Sequence, residues 1–163
     1  MHTAAEEWVR GSVVGWGDVK VALDLGSFDI NGSVRRILGP EWGVLGIDAR
    51  PGPGVDRVLE GHRITVQEFG NFPLVTCCEV FEHDPWWSLT LRTLWYLVAP
   101  GGLMIVTCAG PGRAPHELDC SPGNTRYYEN RTLADVLGGL DEKACRVEGE
   151  QRDEDVRMRA WKT

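Results

Sequence analysis

The segment VALDLGSFDINGS, Val21 to Ser33, constrains the fold most. A short apolar run ends in a carboxylate, Asp24, and a glycine follows at Gly26. A run of this kind reads as a buried strand that delivers its acid to the edge of a sheet. Gly26 lacks a Cβ and lets the backbone pass close to a bound group. Asn31, Gly32 and Ser33 turn the chain into a helix, whose first amides have no intrahelical partner and face the same edge.

The pattern recurs down the chain. Lys20–Asp24 is the first expected strand, and Gly43–Asp48 is a second apolar run ending in an acid. Val55–Glu60 is a weaker third, after the break-rich Pro51–Gly54 loop. Leu74–Val80 is a continuous apolar run, as a central parallel strand requires, and Leu103–Cys108 is a fifth. Between them fall helix signals. Thr3 and Glu6 have capping-box spacing for a helix over Ala4–Arg10, and Ser33–Leu38 ends at Gly39-Pro40. Asp84-Pro85 reads as an N-cap with proline at the first helical position. Beyond it Trp87, Leu91, Leu94, Trp95 and Val98 form one apolar stripe, which leaves Trp86 outside it. Thr132 and Asp135 cap another short helix ending near Gly138. Ala144–Glu148 and Val156–Trp161 read as a final antiparallel hairpin joined by the polar linker Glu150–Asp155. Ile64 and Val66 suggest a small extra strand. Strands alternating with helices imply a mostly parallel sheet covered on both faces, in one domain spanning residues 1–163.

Composition removes several classes. The net charge of −7 opposes non-specific binding to phosphate backbones, so nucleic acid is not the expected partner. Arg157, Arg159 and Lys162 are the obvious candidates for a local basic patch, read as a solvated strand face. The five cysteines (Cys77, Cys78, Cys108, Cys120 and Cys145) have no CxxC spacing and form no Cys/His cluster. A disulfide framework and a structural zinc site are therefore not expected, nor is any metal. The N-terminal stretch lacks an apolar signal core and no apolar run approaches bilayer length, which points to a cytoplasmic protein without a membrane segment.

In an open parallel sheet, ligands bind beyond the carboxyl ends of the strands, near the point where strand order reverses. The first three runs end in Asp24, Asp48 and Glu60, and the fourth carries Glu79. Carboxylates suit ribose hydroxyls, an adenine amino group and an ammonium, and they repel pyrophosphate. GxGxxG is absent after the first strand, since Phe28 and Ile30 interrupt it, and no GxxxxGK[ST] loop occurs. The expected ligand is a nucleoside carrying a charged amino-acid tail.

Four motifs in this order resemble those of the class I S-adenosylmethionine-dependent methyltransferases. They are DLGSFDINGS (Asp24–Ser33), GVLGIDARPGPGVD (Gly43–Asp56), CCEVFEH (Cys77–His83) and APGGLMIVTCAG (Ala99–Gly110). The resemblance covers Val19 to the end. It implies a Rossmann-like α/β fold, a seven-stranded mostly parallel sheet of order 3-2-1-4-5-7-6. The last-formed strand is antiparallel and helices cover both faces. It implies S-adenosylmethionine as cofactor. Asp24 and Gly26 would line its methionine part, with Ser27, Phe28 and Asn31 as further cofactor-binding candidates. Asp48 and Ala49 would meet the ribose, and Glu60 and Gly61, with His62, the adenine. Glu79 would border the methyl-transfer site.

Methyl transfer requires alignment and desolvation, and a base only when the acceptor is a hydroxyl. His83 and His116 are the histidines on the acceptor side and the candidate bases, with Glu79 as the third catalytic candidate. Glu82 and His83 also have a structural reading, as organisers of the loop before Asp84. The loop Gly110–Tyr128 should overhang the acceptor site, and its Arg113 suits an acceptor carboxylate or phosphate. No separate substrate domain is visible, which favours a small-molecule acceptor. Two alternatives remain: a catalytically silent binding module or partner subunit of this fold, and a nucleic-acid methyltransferase. The acidic charge opposes the second, as does Glu79-Val80-Phe81-Glu82 where such enzymes carry Asn/Asp-Pro-Pro-Tyr. Acceptor identity and oligomeric state are not encoded in these patterns.

Overall fold

The computed structural model describes residues 3–116, 121, 126–140 and 145–163, with the side chain of Cys145 outside the description. The elements in chain order are α1 (Thr3–Ser12), β1 (Val21–Leu25), α2 (Val34–Leu38), β2 (Gly43–Asp48), β3 (Arg57–Val58), α3 (Val66–Phe69), β4 (Phe72–Cys78), α4 (Trp87–Leu97), β5 (Val98–Ala109), α5 (Leu133–Gly138), β6 (Cys145–Arg152) and β7 (Asp155–Lys162). A single 3-10 turn, Gly61–Arg63, precedes α3.

Seven strands form one sheet in the order β3-β2-β1-β4-β5-β7-β6. The β1–β2, β1–β4, β2–β3 and β4–β5 pairs are parallel. β7 runs antiparallel to both of its neighbours, so it is the one reversed strand. This is the expected sheet, order and hand of the last strand included.

The period-two alternation of the strands separates two cores. Leu23, Val75, Cys77, Met104 and Val106 face α4 and α5, where Leu91, Leu94 and Val136 bury. Ala22, Leu74, Leu103 and Ile105 face α1 and α2, where Val9, Val34 and Leu38 bury. Helices thus cover both faces, and the strand order reverses between β1 and β4, which opens a crevice at their carboxyl ends.

Several boundaries differ from expectation. α1 starts at Thr3, so Thr3 is helical and not its N-cap. β3 keeps only Arg57–Val58 of Val55–Glu60, because both residues are exposed at the sheet edge and gain no burial by extending the ladder. Ile64 and Val66 form no extra strand: Ile64 ends the 3-10 turn, and Thr65 caps α3 by accepting from the Glu68 amide. α4 begins at Trp87 with Trp86 at its N-cap, not Asp84. The Asp84 carboxylate is taken by the Trp86 amide at 2.8 Å and the Thr90 hydroxyl at 2.5 Å, fixing the turn before the helix. The last hairpin extends into the expected linker and turns at Asp153-Glu154.

The basic trio of β7 is not a solvated face. Arg157 is buried and pairs with Glu150 and Asp155. Arg159 pairs with Glu148 and stacks on Trp8 and Trp161. The Lys162 ammonium donates to the carbonyls of Trp95 and Val98. Cys77, Cys78 and Cys108 are buried free thiols, and burial pushes all three up in pKa. Cys120 lies outside the described residues. Among the described residues, no helix is long and apolar enough to cross a membrane.

Candidate active site

A cavity of about 350 Å³ lies over the carboxyl ends of β1, β2 and β4. It is lined by Asp24, Gly26, Phe28, Asn31, Asp48, Ala49, Gly61, Glu79, His83 and His116 among the expected residues. Three expected residues, Ser27, Glu60 and His62, do not line it. Ser27 is buried beneath the loop. Glu60 turns to Arg63 at 2.8 Å and to His62 at 3.7 Å, and it contributes to the 3-10 turn instead. The adjoining Gly61 lines the cavity, and its backbone packs hard on α4, where an added Cβ would lie 2.5 Å from Thr90 Cγ2.

The loop after β1 is a backbone cradle. Gly26 has φ +83°, and a Cβ there would lie 2.3 Å from Val80 Cγ2, so the position needs glycine for both conformation and space. The amides of Gly26 and Ser27 bond to the Ile47 carbonyl, and the Asp29 amide to that of Pro53. Asp29 accepts from the Gly32 amide at 2.9 Å, and Ser33 caps α2. Phe28, which stands where related patterns carry glycine, packs its ring on Gly52 and under the Arg50 guanidinium, 5.0 Å away. The bulk of Phe28 is thereby absorbed by the Pro51–Gly54 loop.

The two acids at this end have different environments. Asp24 is buried on β1 and accepts from Thr76 Oγ1 at 2.7 Å. Burial raises its pKa to about 7, against the lowering effects of Thr76 and Arg35 and with a further rise from Asp48. Asp48 accepts from the amides of Phe28 (3.2 Å) and Arg50 (3.0 Å). Desolvation raises its pKa as well, opposed by those amides. A carboxylate has about four acceptor sites, so Asp48 retains capacity for hydroxyl donors.

The other end is assembled from side chains. Glu79 directly follows β4 with φ +59°, a conformation uncommon for a residue with a Cβ. Its carboxylate receives the Thr107 hydroxyl at 2.9 Å and the Arg113 guanidinium at 2.7 Å. Arg113 also reaches Asp155 at 3.0 Å. It therefore braces Glu79 and β7 while itself lining the cavity, where its loop position suggested contact with an acceptor anion.

Glu82 and His83 follow on a tight turn closed by the His83 amide to the Val80 carbonyl. Burial and the nearby Glu79 push Glu82 up to about 8. Burial and His116 push His83 down to about 4. The loop after β5 folds back on this turn: the Glu129 amide bonds to the Glu82 carbonyl and the Arg131 amide to the Ala109 carbonyl. Arg131, itself buried, donates to the Phe81 carbonyl and stacks on Trp87. His83, His116 and Tyr128 meet edge to face, with ring centroids 5.2–5.4 Å apart. One ligand atom from each of Glu82, His83 and His116 lies within 4.8 Å of the others, so these three could hold a metal ion that the spacing of the sequence did not reveal. Arg50, Val80 and Asp84 also line the cavity and were not anticipated. Part of the expected overhanging loop, residues 117–120 and 122–125, lies outside the described residues.

No protein-family description matches this chain. No curated protein matches it either. Solved structures do. The 1,6-didemethyltoxoflavin-N1-methyltransferase of Burkholderia thailandensis, with bound 1,6-didemethyltoxoflavin and S-adenosylhomocysteine, matches with a TM-score of 0.70 and 15% identity over 98% of this chain and 79% of that one. The magnesium protoporphyrin IX methyltransferase of Synechocystis, with bound S-adenosylhomocysteine, matches at 0.66 and 16% over 98% and 83%. The N-methyltransferase NodS of Bradyrhizobium japonicum, also with S-adenosylhomocysteine, matches at 0.64 and 14% over 98% and 85%. Strand order, reversed last strand and these likenesses together establish that the chain has the class I methyltransferase fold.

Proposed function

We propose that this protein is an S-adenosylmethionine-dependent methyltransferase acting on a small-molecule acceptor. The observation that carries the reading is the frame of acids and glycine around one cavity: Asp24 and Gly26 after β1, Asp48 after β2 and Glu79 after β4. The cavity volume falls in the range of small-molecule sites. The fit is chemical as well. Asp24 and the open backbone at Gly26 suit the ammonium and carboxylate of a methionine tail, Asp48 the ribose hydroxyls, and the small Gly61 the edge of the adenine. The structural neighbours carrying S-adenosylhomocysteine support the same reading, and two of them take small molecules.

When bound, S-adenosylmethionine supplies a methyl group on a sulfonium, an already activated leaving group. The chain's own residues align the reactants, exclude water and handle the acceptor's proton. Glu79 is fixed at the transfer end by Thr107 and Arg113. His83 and His116 stand on the acceptor side of it. The negative net charge favours a small acceptor over nucleic acid.

Calorimetric titration with S-adenosylmethionine and S-adenosylhomocysteine tests the reading. Micromolar binding of both is expected, and a folded sample that binds neither overturns it. A second reading, a binding module without turnover, draws support from the engagement of Glu79 by Arg113. Tight cofactor binding with no methyl transfer across an acceptor screen selects it.

A further inference from the structure

We propose that Glu82, His83 and His116 form a binding site for a divalent first-row transition cation at the acceptor end of the cavity. Their ligand atoms lie within 4.8 Å of one another, against the ~3.4 Å separation of ligands about 2.1 Å from a tetrahedral metal. His116 is the least buried of the three and so the one with most room to move inward.

The turn that holds these groups leaves them without other work. Glu82 is fully buried, yet neither carboxylate oxygen makes a hydrogen bond of normal geometry. The Nδ1 of His83 is likewise buried and unpartnered. The backbone amides of Glu82 and Ala109 and the charge of Arg113 only partly offset the burial of this carboxylate and its repulsion by Glu79. A bound dication satisfies the carboxylate and the imidazole together. His116 is prepared for the role: its Nδ1 lies 3.1 Å from the Ala114 carbonyl. With Nδ1–H donated there, Nε2 keeps its lone pair, the usual outer contact of a metal-bound histidine. Tyr128 packs against both imidazoles and holds their planes. Below them, Arg131 and the Glu129 and Arg131 amides pin the loop to the turn.

Two imidazoles and one carboxylate select zinc, cobalt, manganese or iron over magnesium or calcium. Three protein ligands leave at least one position open. His83 and His116 line the cavity, so that position faces it. With neutral imidazoles the site carries one net positive charge, which suits an oxygen ligand. The acceptor class that follows is one with a hydroxyl able to bind the metal and so become more acidic. This last step rests on the methyltransferase reading, whereas the metal site does not.

The test uses the full chain after dialysis against a chelator. Calorimetry with Zn²⁺ and visible absorption with Co²⁺ are expected to show one equivalent bound with micromolar or tighter affinity. His116→Ala, on a partly exposed loop, should weaken binding about a hundredfold or more, beyond what loss of an outer contact does. Glu82→Gln should do the same, and if that variant fails to fold His116→Ala decides alone. No binding, or binding unchanged in His116→Ala, overturns the site. S-adenosylhomocysteine titrated into the same samples separates the two readings. Metal binding without it preserves the site and removes the methyltransferase; the reverse removes only the site.

Discussion

The two ends of the cavity are built in opposite ways. At the β1–β2 end the chain presents backbone: a glycine at positive φ, amides tied to the Ile47 and Pro53 carbonyls, and acids standing at strand termini. At the β4–β5 end it presents side chains. There Glu79, Glu82 and His83 are held by Thr107, Arg113, Tyr128 and Arg131, which come from later in the chain. A backbone cradle depends on local sequence and tolerates little change. A side-chain constellation depends on distant residues and can be rewritten without disturbing the sheet. The first arrangement suits a ligand shared by many proteins of this fold, and the second an acceptor particular to one.

The largest effect should come from Asp24, the most deeply buried acid of the cradle. Its pKa is 3.8 unperturbed and about 7 in the fold, a gap of about three pH units. Between those values the folded state holds a proton that the unfolded state has lost, so stability falls as pH rises from 4 to 7 and then levels off. The full cost is on the order of 4 kcal/mol. Thr76, Arg35, Asp48 and the Cys78 thiol are the groups that face it. Asp24→Asn keeps the bond from Thr76. It should match the parent in urea midpoint near pH 4 and exceed it above pH 7. Parallel profiles for the two proteins would show that Asp24 is ionised throughout. The same substitution should weaken cofactor binding at pH 8, since the ammonium loses its counter-charge.

Gly26→Ala attacks the cradle's conformation. A methyl at φ +83° lies 2.3 Å from Val80 Cγ2, and strain plus overpacking should cost about 2–4 kcal/mol by chemical denaturation. Val80 also leads into the turn carrying Glu82, so this variant sets how rigidly the two ends are joined. Asp48→Ala is milder. It should cut S-adenosylmethionine affinity by about 1.5–3 kcal/mol, the worth of charge-assisted hydrogen bonds. Metal affinity should be unmoved. A parallel loss of both would abolish the distinction between the ends.

The same contrast explains what the sequence disclosed. Strand order, the reversed β7 and the cradle were legible because each rests on a local pattern: an apolar run, a terminal acid, a glycine, a short polar turn. Asp24, Gly26, Asp48 and Gly61 all fell where such patterns placed them. Glu60 did not, because a charged neighbour three residues on, Arg63, captured it. Asp84 looked like a helix cap, but Thr90 on the next turn offered it a closer hydroxyl. At the acceptor end Arg113 read as an anion receptor from its loop position, and only the fold brings Glu79 and Asp155 to it. The convergence of His116 with His83 likewise spans 33 residues, and no periodicity reports a contact of that range. Trp86, left outside the α4 stripe, is exposed and lies against the His62 ring at 4.8 Å.

Arg113→Ala probes the acceptor end with the smallest expected change. The guanidinium and Glu79 are both mostly buried, and Asp155 shares the same nitrogen. Removing it leaves Glu79 with the Thr107 hydroxyl alone of these two named partners, and β7 loses a tie to the loop after β5. The cost should be about 1–2 kcal/mol in urea denaturation, below that of a fully buried pair because Thr107 remains. A brace and a receptor differ in what else changes. As a brace, Arg113 sets the position of Glu79, so its loss should lower kcat for any acceptor, charged or neutral, while cofactor affinity holds. As a receptor it would raise KM for anionic acceptors alone. Comparing one neutral and one carboxylate-bearing acceptor in the Arg113→Ala variant decides between them. A selective rise in KM would mean that Arg113 releases Glu79 when an acceptor arrives, and the acceptor end would then be mobile where the cradle is fixed.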